Sequence, residues 1–248
     1  MSYKSRLLLF CFVLMPFFWA QASNVSIHFA GAEGQQVTIH AYEDLMNYQQ
    51  VKVDQSVFST QAKVSFEVNL LYTQKLVIRV GYVRFSFFAE PNQNYQIEVD
   101  TMDFSNPAMY PIQVVNYITP HYEIRVEEGE NINEQLNNFS TQYNKFYNRN
   151  YIKIYRKQNT QQVVDSAQLI VNQYVESTDN DYIKTHVNMQ IGQLELMSRK
   201  LSPQQMVEKY FTEDKIQYRN LAYMDFFNMY WRRYLLTKAK GFTRDEFD

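Results

Sequence analysis

Cysteine is nearly absent: Cys11 is the only one in 248 residues. It lies inside an apolar N-terminal run. A chain without that run forms no disulfide, performs no thiol chemistry and holds no metal through thiolate. Glycine is scarce, with six residues, which argues against glycine-rich phosphate loops and against disorder. The four histidines, His28, His40, His121 and His186, never pair at i+2, i+3 or i+4, so there is no local metal motif. No G-x-S-x-G and no GK[ST] signature occurs. Beyond the N-terminus no stretch approaches the ~18 consecutive apolar residues of a membrane span. The richest, Val77 to Ala89, is interrupted by Arg79 and Arg84. A basic excess is missing too. With 24 bases against 26 acids, the chain has no electrostatic footprint for nucleic acid.

What is present begins with a leader. Lys4 and Arg6 precede the apolar run Leu7 to Trp19, and Ala20-Gln21-Ala22 puts small residues where a signal peptidase reads. This order predicts a secretory signal peptide over 1–22, cleaved after Ala22. The run is shorter than the roughly 20 residues of a membrane anchor, and Pro16 interrupts it. Cys11 follows Leu9-Phe10 rather than small residues, unlike a lipoprotein cysteine. The expected location is the periplasm or the outer-membrane periphery, with no transmembrane segment after cleavage. The rest is uneven in charge: residues 23–130 carry 13 acids and 6 bases, residues 131–248 carry 13 acids and 16 bases.

Hydrophobic period divides the chain at the same place. Val25, Ile27 and Phe29 alternate with polar or small residues. So do Val37 and Ile39, Val51 and Val53, Val64 to Val68, Leu76 to Val80, Val83 to Phe87, and Tyr95 to Val99. Period-two alternation marks half-buried antiparallel strands. Turn residues separate them at 31–34, 44–47, Gly81 and 91–94. Pro107, Pro111 and Pro120 keep the following stretch extended, and Tyr122 to Val126 alternates once more. From Asn131 the period becomes helical: Ile132, Leu136, Phe139, Tyr143 and Phe146 share a face, capped by Asn131. Further helices are predicted over 161–176, around Ile183 to Leu194, from Ser202-Pro203 with a capping-box Gln205, and from about Asn220 to a stop at Gly241. The predicted fold class is α+β. An antiparallel β-sandwich spans 23–100, an extended linker with one candidate extra strand spans 101–130, and an all-helical region spans 131–248.

Candidate chemistry is thin. His28 and His40 fall on the outward phase of their strands and are expected as an exposed pair across a hairpin, not as a metal site. His121 and Glu123 could share a strand face. Gly31-Ala-Glu-Gly34 reads as a hairpin turn. Glu127-Glu128 are sequence neighbours that rarely converge on one atom, and Glu213-Asp214 suit a helix start. Asp100-Thr-Met and Asp165-Ser-Ala match a three-residue bacterial O-glycosylation pattern that arises readily by chance. No catalytic, cofactor-binding or metal residue is assigned. The last helix is rich in aromatics: Tyr223, Phe226, Phe227, Tyr230 and Tyr234 surround most of its circumference. Core accounts for part of them, and the excess could meet a partner or a missing piece of the same protein.

The sandwich, the proline-containing link and the helix opening Asn131-Ile-Asn-Glu-Gln-Leu136-Asn-Asn-Phe139 together resemble one group of proteins. So do Phe88-Ala-Glu90-Pro91 and Asn220-Leu-Ala-Tyr-Met-Asp-Phe-Phe227. The group is the exported thioredoxin-like (AhpC/TSA-type) thiol–disulfide proteins of Bacteroidota, in their N-terminal region. There a sandwich of unknown function and helices precede a thioredoxin domain. The resemblance covers roughly 23–237, and Asn92 stands where the family often has glycine. The family's redox step needs a Cys-x-x-Cys, so no catalytic residue carries over.

Three readings follow. The first is a non-catalytic exported module that binds a partner, a ligand or its own copy. The second is the front part of a truncated or split thiol–disulfide oxidoreductase whose thioredoxin domain would meet the aromatic last helix. The third is a hydrolase using carboxylates or histidine. The composition leans away from an enzyme, and no cofactor is implied.

Overall fold

The computed structural model describes residues 22–104, 117–199, 201–212 and 216–238. The predicted leader up to Gln21, Pro107, Pro111, Glu213-Asp214 and the Gly241 stop lie outside the described residues.

The alternating segments form strands β1 Ser23–Phe29, β2 Gln36–Asp44, β3 Gln49–Val57, β4 Lys63–Val68, β5 Gln74–Val80, β6 Val83–Ala89, β7 Tyr95–Val99 and β8 Tyr122–Val126. They build two four-stranded sheets, ordered β4-β1-β7-β8 and β3-β2-β5-β6. Inward residues of both share one core, with Val25, Ile27, Phe29, Ile39, Ile78, Phe87 and Ile97 essentially inaccessible. Pairing is antiparallel except between β1 and β7, which run parallel. β8 adds to β7 with Ile124 opposite Ile97. The sandwich therefore reaches Val126, and the candidate extra strand is an edge of the first sheet.

The chain changes sheet between β1 and β2, so the Gly31–Gly34 segment is a corner between layers and not a hairpin turn. Gly31 has φ +92°, and a Cβ there would meet the Met102 carbonyl oxygen at 2.2 Å. Asn92, after Pro91, has φ +63°, a left-handed conformation that asparagine tolerates better than most side chains.

The helices are α1 Ile132–Tyr155, α2 Thr160–Ser177, α3 Asp181–Ser198, α4 Pro203–Tyr210 and α5 Leu221–Lys238. Asn131 caps α1 by accepting from the Asn133 amide, and Asn180 caps α3. Ser202 and Gln205 close the predicted capping box on α4. Each such cap contributes about 1 kcal/mol. Leu136, Phe139, Ala167, Val171, Val187 and Leu194 join α1, α2 and α3 in one core. Met206, Tyr210, Tyr223, Phe226 and Tyr230 form a second with α4 and α5. Gly192 lets α5 close on α3, since a Cβ there would lie 2.5 Å from Phe226 Cε1.

Side-chain amides weld helices to sandwich. β6 is a sheet edge, and an unpaired edge needs cover. Asn133 supplies it as a strand would: the Phe88 amide donates to its Oδ1 at 2.7 Å, and its Nδ2 donates to the Phe88 carbonyl at 2.9 Å. Asn180 Nδ2 donates to Glu90 Oε1 at 2.7 Å. Asn228 Nδ2 donates to the Leu45 carbonyl at 3.1 Å, and the Tyr48 hydroxyl donates to Asp225 at 2.6 Å. The fold is α+β, a β-sandwich followed by helices.

Candidate anion-binding face

The outward face of the β3-β2-β5-β6 sheet gathers one sign of charge. Register puts Thr38, Arg79 and Arg84 in one cross-strand row, His40, Val77 and Ser86 in the next, and Lys75 beside Phe88 in a third. Lys52 of β3 is opposite His40. Cross-strand neighbours point to the same face. Four of the six bases between residues 23 and 130 therefore share this face, in a segment that holds 13 acids. Arg79 and Arg84 are directly opposite each other, a destabilising placement for like charges. Both guanidinium carbons lie 5.7 Å from the centre of the Tyr117 ring. Arg79 Nη2 donates to Gln50 at 2.6 Å, while its Nε is buried without a hydrogen-bond partner. Among the described residues, none of these four bases forms a salt bridge.

The field of the face is visible in its titrating groups. Burial, then Arg79, Lys52 and Arg84, hold His40 below the ordinary imidazole value. Burial lowers the Lys75 ammonium as well; Asp225 opposes this and Arg84 reinforces it. A cleft of about 610 Å³ opens here, lined by Tyr42, Lys75, Arg84, Ser86, Tyr117 and Tyr122 among others. A second, of about 850 Å³, runs on between sheet and helices and shares Lys75, Ser86 and Tyr122.

The second cleft also holds His186, Asp225, Glu123 and Glu134, the residue types an acid–base mechanism would use. They are not wired for one. His186 packs against Phe88 and Tyr182, its Nδ1 is buried without a partner, and burial followed by Lys75 pushes it down to about 4. Asp225 accepts from Tyr48. A nucleophile bonded to a base that is bonded in turn to an orienting group is not found among these side chains. Glu195 is a third buried group that alternation could not flag. It accepts from Lys209 Nζ at 2.9 and 3.0 Å and from the Tyr210 hydroxyl at 2.8 Å, clamping α3 to α4.

The residues singled out from sequence are dispersed. His28 and His40 are in different sheets, not across one hairpin. His28 Nδ1 is 2.7 Å from Glu98, and His40 Nε2 is 3.0 Å from the Thr38 hydroxyl. His121 faces Asp100 at 3.4 Å, and Glu123 faces Arg125. Glu127 accepts from Asn94 and Gln96, and Glu128 is exposed. Tyr223, Phe226 and Tyr230 are buried, and Phe227 is half-buried against them. The Tyr234 side chain lies outside the described residues. In the sequence Arg79 and Arg84 stand out only as interruptions of an apolar run. Their symmetry about Gly81-Tyr82 was the available signal, because a tight hairpin there makes them a cross-strand pair.

Among the described residues, no group of three or more His, Cys, Asp or Glu side chains is placed to hold a metal ion. No described helix is long and apolar enough to cross a membrane. No protein-family model matches the chain, and no curated protein matches it in sequence.

Proposed function

We propose that the chain is an exported, non-catalytic binding module that holds an anionic ligand on the outward face of its β3-β2-β5-β6 sheet. The observation that supports this is the opposed pair Arg79–Arg84, sharing the Tyr117 ring with no carboxylate between them. Like charges directly opposite repel, and a buried guanidinium N–H without an acceptor is costly. An anion beside the pair offsets the repulsion, accepting from the Arg84 fork with the Arg79 charge behind it, in the geometry that favours carboxylate, sulfate or phosphate. His40 and Lys75 extend the field, and Tyr42 and Tyr117 offer hydroxyls beside it, while the Tyr122 hydroxyl already donates to the Ser86 carbonyl. Export rests on the leader alone, and the exported protein is expected to begin at Ser23 when its N-terminus is sequenced.

Titration calorimetry with inorganic phosphate, sulfate and a polyuronate tests the ligand class. At least one is expected to bind, with affinity that falls as salt rises and is lost in R79Q/R84Q. The His40 pKa is expected to rise on binding, because the anion cancels the field that lowers it. If none of the three binds, or if R79Q/R84Q binds as the parent does, the reading fails.

A further inference from the structure

The far end of α1 carries a second surface, unconnected with the sheet. From Gln135 to Val164 the chain has no Asp or Glu and five bases, Lys145, Arg149, Lys153, Arg156 and Lys157. All five are exposed. Tyr147, Tyr151 and Tyr155 recur at i, i+4 and i+8. Their rings contact in series, with centroids 6.0 and 6.2 Å apart. The apolar periodicity of α1 lapses here: from Asn144 to Lys153 no residue is fully buried. Tyr151, Ile152 and Tyr155 are 50%, 61% and 76% exposed. A helix end that served only as scaffold would not present contacting aromatics and a branched aliphatic to water on a turn that also carries only cations.

We infer that this end of α1 docks on a lipid surface rich in anionic headgroups. Two observations select that occupant. The five uncompensated bases match negative headgroups, each contributing within a Debye length of the surface. Tyrosine rings and Ile152 suit the boundary between headgroup and acyl chain, where an amphipathic ring keeps its hydroxyl wet and its body dry. The position is favourable too. α1 has 24 residues, about 36 Å at helical rise, and its other end is bonded to β6 through Asn133. The sheet face therefore stands clear of the surface on which the helix tip rests.

Sedimentation of the exported chain with vesicles tests this. Parent and variants share one N-terminus, so any apolar leader contributes equally. Vesicles of phosphatidylcholine with phosphatidylglycerol are expected to pellet the protein, and phosphatidylcholine alone is not. K153E/R156E/K157E is expected to lower the partition coefficient by on the order of 100-fold. Y151S/Y155S, which keeps every charge, is expected to lower it by roughly tenfold. Both sites are exposed, so thermal melts of the variants should match the parent. Equal pelleting by both vesicle types, or by none, overturns the inference. So does parent-like binding of the α1 variants when R79Q/R84Q alone abolishes pelleting, which would give the lipid contact to the sheet. Binding to heparin or duplex DNA without pelleting would assign the tip to a soluble polyanion and overturn it as well.

Discussion

The outward faces of the two sheets treat charge in opposite ways. On β4-β1-β7-β8, the cross-strand row Lys63, His28, Glu98, Glu123 mixes signs, and His28 meets Glu98 directly. On β3-β2-β5-β6 the corresponding rows hold Lys52, Lys75, Arg79, Arg84 and His40 with no acid. The two layers share a core and a strand count, so the fold itself does not require the difference. A balanced face needs only water. A one-signed face carries a cost in the free protein that a ligand of opposite sign removes. The helices pack beside the second face and leave the first exposed, which joins the charge asymmetry to a cleft.

The largest effect expected is a pH dependence that enters where α3 packs on the second sheet. His186 packs on Phe88 with a folded pKa pushed down to about 4 from 6.5. Protonation is disfavoured in the fold, so the stability contributed by the neutral ring is complete above pH 6.5. It is lost as pH falls from 6.5 to about 4, by about 3 kcal/mol. Glu90 and Asp225 are raised, chiefly by burial, and work in the opposite direction, favouring the fold as pH falls. The comparison that isolates His186 is therefore urea unfolding of the parent against H186F at pH 7 and pH 4.5. The variant should lose clearly less stability on acidification; an equal loss would remove His186 as the cause.

Next in size is the weld at the edge of that sheet. N133L removes both partners of the Phe88 peptide while keeping the branching and the number of side-chain heavy atoms. A cost of about 2 kcal/mol is expected, with hydrogen exchange at the Phe88 amide accelerated and exchange at Phe66, in the other sheet, unchanged. Unfolding at the parent's midpoint would show the amide pairing to be incidental.

Both features lay partly beyond reach of the sequence, for identifiable reasons. Alternation located the strands because each buries one face, and helical spacing located the α1 and α3 cores. A turn looks the same whether it closes a hairpin or crosses between sheets, so the sequence suggests a hairpin at Gly31–Gly34 that would set His28 beside His40. The parallel pairing of β1 with β7 joins residues about 70 apart, as in Val25 with Tyr95, and no local pattern encodes it. His186 sits one turn from Ile183 on a helix whose apolar stripe explains itself without it. Its burial depends on Phe88, nearly 100 residues earlier. Arg79 and Arg84 were legible as a pair through the short turn between them. Their meaning needed the knowledge that their face opens onto a cleft.

That pair supplies the third prediction, which reverses the usual direction of a mutation. R84L removes the like charge opposite Arg79 and is expected to raise stability by about 1 kcal/mol without ligand, less whatever its contact with Tyr117 contributes. The same variant should lose the added stability that the binding anion gives the parent. Denaturation with and without that anion reads both. A destabilised R84L that still responds to the anion would erase the distinction between the two faces.

The smallest effect tests the balanced face. His28 and Glu98 are 2.7 Å apart, but their side chains are 37% and 51% exposed, so water screens the pair. H28A, E98A and the double variant are each expected to stay within about 0.5 kcal/mol of the parent, with a coupling energy in the same range. None should alter anion binding. A coupling well above that range would mean the first sheet also depends on a specific charge arrangement. The contrast would then lie in the sign of the charge and not in its function. A small coupling, beside a stabilised R84L that no longer responds to anion, separates a face held by its own pairs from one that is completed by a ligand.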